Sequence, residues 1–155
     1  MANWSSINMT VICRDEKSAK KLAKDLETEA DVNPKWPLIF SSAPQGIFFA
    51  EIDRTGDQIV IHGDTRWAPA RESAAKWIEL LNSNYRIRSV EIEYDETGSQ
   101  VFGVYRFDGQ TITDRFLPSD RYPDISEAQF EHYFDILADA LEKYGEEETL
   151  PAAAA

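Results

Sequence analysis

The hydrophobic and polar positions in residues 58–81 predict a strand followed by a helix. The β-branched run Ile59, Val60 and Ile61 is typical of a strand that is covered on both faces, near the middle of a sheet. After Pro69 the apolar residues recur at the spacing that places them on one helical stripe. These residues are Ala70, Ala74, Trp77, Ile78 and Leu81. A strand that leads through a short link into a helix is the first half of a βαβ unit.

The N-terminal part predicts a second strand and helix. Residues 7–14 are rich in β-branched side chains, and Asp15 is a suitable N-cap for the helix that follows. In that helix, apolar residues recur on one side and lysines fill the other. The apolar set is Ala19, Leu22, Ala23 and Leu26, and the lysines are Lys17, Lys20, Lys21 and Lys24. The lysines could form a binding patch, but their period favours a solvated face.

Four further segments predict strands, most of them joined by tight turns. After an apolar loop at residues 36–45, residues 46–52 predict a strand, and residues 53–57 predict a hairpin turn into the strand at residue 58. Residues 88–94 alternate apolar and polar side chains, which is typical of a strand with one wet face. The next two strands, over residues 101–107 and 111–116, are joined through Asp108 and Gly109, a strong hairpin signal. Together with the strand over residues 88–94, they are predicted to form a meander.

The last predicted element is a helix over residues 126–144. Ser126 and Gln129 have the spacing of a capping box, and Gly145 is a suitable end. The predicted buried stripe consists of Phe130, Phe134, Leu137 and Leu141. Residues 146–155 have no core pattern, so they are expected to form a disordered, acidic and alanine-rich tail.

The element order β-α-β-β-α-β predicts an α+β fold, specifically a ferredoxin-like split βαβ arrangement that is extended by a β-meander and a C-terminal helix. In that topology the first strand lies between the third and the fourth. Residues 1–145 would form one ferredoxin-like domain, because no linker divides them.

Two short motifs carry a resemblance to a known family. Residues 1–11, with Asn3, Trp4 and Val11, resemble the "M-x-N-W-C-x-N-x-x-x-V" opening of the YubB-like, Api-type group of ferredoxin-like proteins of unknown function carried by phages and plasmids. Residues 63–69 are similar to the "T-K-W-x-P" link of that group, whereas Ser5 stands where the group tends to have cysteine. The resemblance implies a ferredoxin-like fold and an origin in a mobile element, and it supplies no catalytic residues.

Charge narrows the classes of partner. The 155 residues carry 28 acidic and 16 basic side chains, a formal net charge of −12. This balance disfavours direct binding to nucleic acid or to an anionic membrane, because each phosphate contact needs a lysine or an arginine. A protein partner with a basic surface is expected instead, and a homo-oligomer remains an alternative. No apolar run approaches the roughly 20 residues of a membrane span, so we expect a cytoplasmic protein. The resemblance to the YubB-like group implies that this is the cytoplasm of a bacterial host.

The candidate chemistry is sparse. His62, Asp64, Arg66 and Trp67 could line a ligand pocket where the strand ends, and His132 is the second histidine. A metal site needs three converging ligands, which the spacing does not enforce, so structural roles are favoured and no metal or cofactor is expected. Cys13 lies in an apolar strand, where a buried thiol is expected. Three aspartates are interpreted as turn residues near prolines: Asp114, Asp120 and Asp124.

The predicted C-terminal helix also carries acidic residues at helical spacing, which would form one ridge opposite the apolar stripe. They are Glu127, Glu131, Asp135, Asp139 and Glu142. A solvated helix face is the favoured interpretation, and mimicry of the phosphates of DNA is the sharper one. The leading hypothesis is a non-enzymatic acidic binding protein of phage or plasmid origin that acts through protein–protein interaction. Its sharper form is inhibition of a host defence or nucleic-acid-processing protein by DNA mimicry. The alternative is a small-ligand-binding protein or metal-dependent enzyme with a pocket near His62, Asp64 and Trp67.

Overall fold

The computed structural model describes residues 4–32 and 47–150, and in these residues helices and one sheet form an α+β fold, as predicted. The strands are β1 (Trp4–Cys13), β2 (Phe48–Thr55), β3 (Gln58–Arg66), β4 (Ile87–Glu96), β5 (Val101–Phe107), β6 (Ile112–Phe116) and β7 (Glu146–Leu150). The α-helices are α1 (Glu16–Val32), α2 (Arg71–Asn84) and α3 (Tyr133–Tyr144), and 3₁₀ helices span Thr97–Ser99, Ser119–Arg121 and Glu127–His132. None of the helices in the described ranges is long and apolar enough to cross a membrane.

The sheet is antiparallel and has the strand order β2-β3-β1-β4-β5-β6-β7. The pairing of β1 with β3 and β4 agrees with the prediction, as do the two hairpins. The prediction that β3 lies near the middle and is covered on both faces is wrong. β3 is second from the edge; Ile59 and Ile61 are buried, whereas His62 is exposed. Val60, which lies between the two isoleucines, is half-buried. A β-branched run by itself therefore does not show whether one face of a strand is covered or both.

Helices α1 and α2 pack on one face of the sheet, which we call the inner face. Alternation along β1 directs Met9 and Val11 to this face, where they join one buried cluster with Leu22 of α1 and Trp77 of α2. The N-cap predicted for α1 is confirmed, because the backbone N–H of Ser18 donates to Oδ1 of Asp15 over 2.7 Å.

Helix α3 packs on the opposite, outer face, over β5. Its buried side chains Leu137 and Leu141 form a second cluster with Phe102 and Val104 of β5 and with Leu117. Farther along the outer face, on β2, β3 and β1, three side chains are exposed to solvent: Glu51, His62 and Ser6. The two helical layers therefore leave part of the outer face open.

The predicted helix over residues 126–144 is not continuous. Residues Glu127–His132 form a 3₁₀ helix, and α3 begins at Tyr133. With three residues per turn, the 3₁₀ segment takes Phe130 out of phase with the buried stripe. Phe134, in the first turn of α3, lies at the edge of that stripe. Both rings are exposed, at 66% and 57% of their surface, so the prediction of their burial is wrong.

The prediction of a disordered tail from residue 146 is wrong for residues Glu146–Leu150, which form β7 and pair with β6. Leu150 lies opposite Ile112 and is buried. Only one side chain of this edge strand, Leu150, is buried. The acidic run therefore carries no apolar period from which the strand could be predicted. Residues 151–155 and the predicted loop at residues 36–45 lie outside the described residues.

Asp114 is a buried residue of β6 and is 3% exposed. The prediction that it is a turn residue is therefore wrong. Its Oδ1 accepts a hydrogen bond from Tyr94, and its Oδ2 accepts one of 3.1 Å from Nε of Arg71. The Arg71 guanidinium also pairs with Glu148 of β7. The network thus joins β4, β6 and β7 to the first residue of α2 on the inner face.

Candidate functional site

A cavity of about 580 Å³ lies on the open part of the outer face, between the sheet and the start of α3. This volume falls within the usual range of small-ligand sites. Strands β2, β3, β1 and β4 supply the floor, and Phe134 supplies one wall. The lining residues are Ser6, Ile7, Asn8, Glu51, His62, Gly63, Asp64, Glu93, Asp95 and Phe134. We call this cavity the acidic groove.

The strand register brings these polar residues together in two rows. Asn8 lies opposite both His62 and Glu93, and His62 lies opposite Glu51 on its other side. Neighbouring strands are about 4.8 Å apart, so the side chains of one row are direct neighbours on the outer face.

In the next row, Ser6 lies opposite both Asp64 and Asp95. Four carboxylates therefore share one concave surface: Glu51, Asp64, Glu93 and Asp95.

Asp64, Glu93 and Asp95 are held in an environment that is unfavourable for their charge. Burial raises the pKa of Asp64 above its usual range. The pKa of Glu93 is raised by burial first and then by the negative charges of Glu91 and Asp95. The pKa of Asp95 is raised by burial, against hydrogen bonds from two tyrosines that lower it. No lysine or arginine occurs among the lining residues, which all lie in the described ranges, so the groove is strongly negative at neutral pH.

Asp95 also holds the start of α3 and the segment before it against the sheet. Its Oδ1 lies 3.3 Å from the hydroxyl of Tyr122 and 3.2 Å from that of Tyr133, and the two hydroxyls are 2.7 Å apart. Burial raises the pKa values of both tyrosines, which keeps them protonated. This cluster positions the helix that carries Phe134.

One buried acceptor in the groove has no partner. Oδ1 of Asn8 is buried and receives no hydrogen bond from the described residues. Leaving such an atom unsatisfied costs roughly 1 to 3 kcal/mol. Because this oxygen is buried from solvent, an occupant of the groove would not reach it in this side-chain conformation.

Of the four residues predicted to form a pocket, the structure places two in the groove. His62 and Asp64 line it, whereas Arg66 and Trp67 are not among its lining residues. The Arg66 guanidinium lies 5.9 Å from the ring centroids of Trp4 and Phe48. Trp67 is 50% exposed and adopts a left-handed backbone conformation with φ of 63°, directly after β3.

The described residues contain no group of three or more His, Cys, Asp or Glu side chains arranged to hold a metal ion. His132 is exposed in the 3₁₀ helix that precedes α3. Cys13 is buried, as predicted, and burial with nearby Asp15 and Asp57 raises the pKa of its thiol to about 11. Its nucleophilic thiolate form is therefore scarce at neutral pH.

The predicted acidic ridge is divided. All five of its residues are exposed: Glu127, Glu131, Asp135, Asp139 and Glu142. Glu127 and Glu131 lie in the 3₁₀ helix, whereas the other three lie in α3. A spacing of four residues advances by about a third of a turn in a 3₁₀ helix, so the five do not form one straight row.

Sequence reasoning missed Glu51, Asn8, Glu93 and Asp95 as site residues. Glu93 was identified only as a member of a wet strand face. The signal was present in β4, where Glu91, Glu93 and Asp95 alternate with apolar residues and so share the outer face. Their relation to Asn8 and Asp64 depends on strand pairing, which periodicity does not give.

Comparisons with family models, curated proteins and solved structures found no match to this chain. The resemblance to the YubB-like group therefore stays a prediction.

Proposed function

We propose that this protein is a non-enzymatic acidic binding protein that recognises a basic surface of another protein through the acidic groove. The observation that carries this proposal is the open sheet face on which four carboxylates line one cavity without a lysine or an arginine in the lining. A partner's cationic group would stabilise the ionised form of each carboxylate. Complementary charge would also steer the encounter and favour basic partners over acidic ones.

The finer parts of the proposal concern fold and origin. The pairing of β1 with β3 and β4 supports a ferredoxin-like core, to which β5, β6 and β7 would be additions. The resemblance to the YubB-like group supports an origin in a phage or plasmid and hence action in the bacterial cytoplasm. A host defence or nucleic-acid-processing protein would be a suitable target. Exposed carboxylates on α3, such as Asp135 and Asp139, support a DNA-mimicking form of this inhibition.

A second candidate function is binding or conversion of a small molecule in the same groove. It is favoured by the presence of His62 and Asp64 in one cavity of suitable volume. A histidine beside a carboxylate is a common acid–base arrangement. Thermal-shift screening with small cationic metabolites and with divalent metal ions tests this candidate: a ligand that stabilises the wild type and not His62→Ala would support it.

The experiment for the first proposal compares three baits in a bacterial lysate. The groove variant is Glu51→Gln, Asp64→Asn and Glu93→Gln, and the ridge variant is Glu131→Gln, Asp135→Asn and Asp139→Asn. Both remove three negative charges, so the net charge of the two variants is equal. Wild type and the ridge variant should retain the same basic protein at low salt, and the groove variant should lose it. Binding should weaken as salt screens charges beyond about 10 Å at 0.1 M.

Other outcomes separate the alternatives. Loss of the partner by the ridge variant alone would assign recognition to the acidic helix, and competition by duplex DNA for that partner would then favour mimicry. Retention by both variants, each verified to be folded by circular dichroism, would contradict the proposal.

A further inference from the structure

Two phenylalanines form an exposed aromatic surface beside the acidic groove. Phe130 and Phe134 are 66% and 57% exposed, and each contacts the ring of Tyr133, at centroid distances of 5.8 Å and 5.3 Å. We call these three residues the aromatic rim. Contiguous exposed apolar surface of this kind marks interaction sites in soluble proteins.

The aromatic rim is physically continuous with the carboxylates. Phe134 lines the groove, and the Tyr133 hydroxyl lies 3.2 Å from Oδ1 of Asp95, another lining residue. An occupant of the groove therefore meets an aromatic ring on one side and carboxylates on the floor.

We propose that the occupant is an arginine side chain of the protein partner, with apolar residues next to it that cover the aromatic rim. The guanidinium would donate to Asp64 and Glu93, while its flat face lies against Phe134. An arginine fits better than a lysine, because its planar group presents five donors and stacks on aromatic rings. This inference rests on the proposed function and names the chemistry of its partner.

The test uses labelled peptides and fluorescence anisotropy with the intact protein. One peptide alternates arginine with leucine, a second replaces each arginine with lysine, and a third replaces each leucine with serine, so all three carry the same charge. The arginine–leucine peptide should bind roughly threefold or more tightly than the lysine peptide, as expected for stacking and cation–π contact. It should also bind more tightly than the serine peptide, because serine leaves the aromatic rim uncovered.

The variants separate aromatic contact from general attraction between charges. Phe134→Ala should weaken binding of the arginine–leucine peptide by roughly fivefold or more, as expected for a central anchoring contact. Tyr144→Ala is the matched control, because Tyr144 is 39% exposed and is not a lining residue of the groove. It should leave binding unchanged.

Equal binding of the arginine and lysine peptides, with no effect of Phe134→Ala, would overturn the arginine inference. The proposed function would survive that result if the groove variant still lost its basic partner from the lysate. Binding of no peptide would overturn the inference as well. A dimer in solution that Phe134→Ala dissociates would show that a second copy of the chain covers the aromatic rim, again contrary to the inference.

Discussion

The hydroxyl of Tyr94 donates a hydrogen bond of 2.8 Å to Oδ1 of the buried Asp114, two strands away in the sheet. The bond passes over Gly103 of β5, where any Cβ would overlap the Tyr94 hydroxyl. Glycine is therefore required here by close approach rather than by a turn. A buried carboxylate needs such donors, because removal from water otherwise disfavours its charge.

Replacement of Tyr94 with Phe should lower the free energy of unfolding by about 1 to 3 kcal/mol, because Asp114 loses a donor and stays buried. Urea denaturation followed by circular dichroism gives this value. Tyr144→Phe is the control; Tyr144 is part-exposed at the end of α3, so its change should be small. Equal stability of Tyr94→Phe and wild type would contradict the role assigned to this bond.

Replacement of Arg71 with Met should destabilise the protein by roughly 1.5 to 3 kcal/mol at neutral pH, since a charged hydrogen bond to Asp114 is lost. Burial raises the pKa of Asp114, and Arg71 opposes that rise. Without Arg71 the folded-state pKa rises further above the unfolded value. The folded variant then binds a proton more readily than the unfolded chain, so its stability falls as pH rises through the folded-state pKa.

The loss caused by Arg71→Met should therefore be smaller in acidic buffer than at neutral pH. Denaturant titrations of wild type and variant at both pH values measure this difference. Glu148→Gln removes only the exposed half of the arginine's pairing, so it should change stability by less than about 1 kcal/mol. A pH-independent loss would mean that Arg71 acts through packing alone.

Replacement of Glu93 with Gln should stabilise the protein at neutral pH by roughly 0.2 to 1 kcal/mol, the scale of side-chain pair energies on a sheet face, because Glu93 is partly buried and shares its face of β4 with Glu91 and Asp95. The folded-state pKa of Glu93 is raised, so its ionised form is disfavoured by folding. That penalty is present above the folded-state pKa and disappears as pH falls through it. The gain should therefore vanish in acid.

Thermal unfolding at neutral and acidic pH tests the Glu93 prediction. Glu91→Gln is the matched control on the same strand, because Glu91 is exposed and lies 3.3 Å from Nε of Arg106. Glu91→Gln should therefore not increase the stability of the protein. Destabilisation by Glu93→Gln at neutral pH would show that Glu93 is compensated within the chain and would weaken the proposed function.

Replacement of Leu150 with Ala should destabilise the protein by roughly 2 kcal/mol or more, as expected when a buried leucine is truncated. Leu150 is 6% exposed and joins the main core cluster at the end of β7. Thr149→Ala, at an exposed neighbouring position, is the control. Urea denaturation distinguishes the two; a negligible effect of Leu150→Ala would instead support a tail without a structural role.

The sequence by itself determined the local elements of this protein. The N-cap at Asp15 and the hairpin at Asp108 and Gly109 are present where the residues predict them. The predicted stripe of α2 is buried at Ala74, Trp77, Ile78 and Leu81, whereas Ala70 precedes the helix and is exposed. Each depends on side chains only a few positions apart, so turn chemistry and periodicity suffice. The α+β class follows from the order of these elements.

Only the tertiary structure decided the acidic groove and the exposure of the aromatic rim. Strand register, set by pairings between distant segments, placed Asn8 between His62 and Glu93. A change from 3₁₀ to α-helical geometry at Tyr133 separated Phe130 from the predicted stripe. The edge of β6 was free to pair with the polar residues Glu146–Leu150, because backbone hydrogen bonds need no apolar period. These features arise from contacts between elements, which no local pattern encodes.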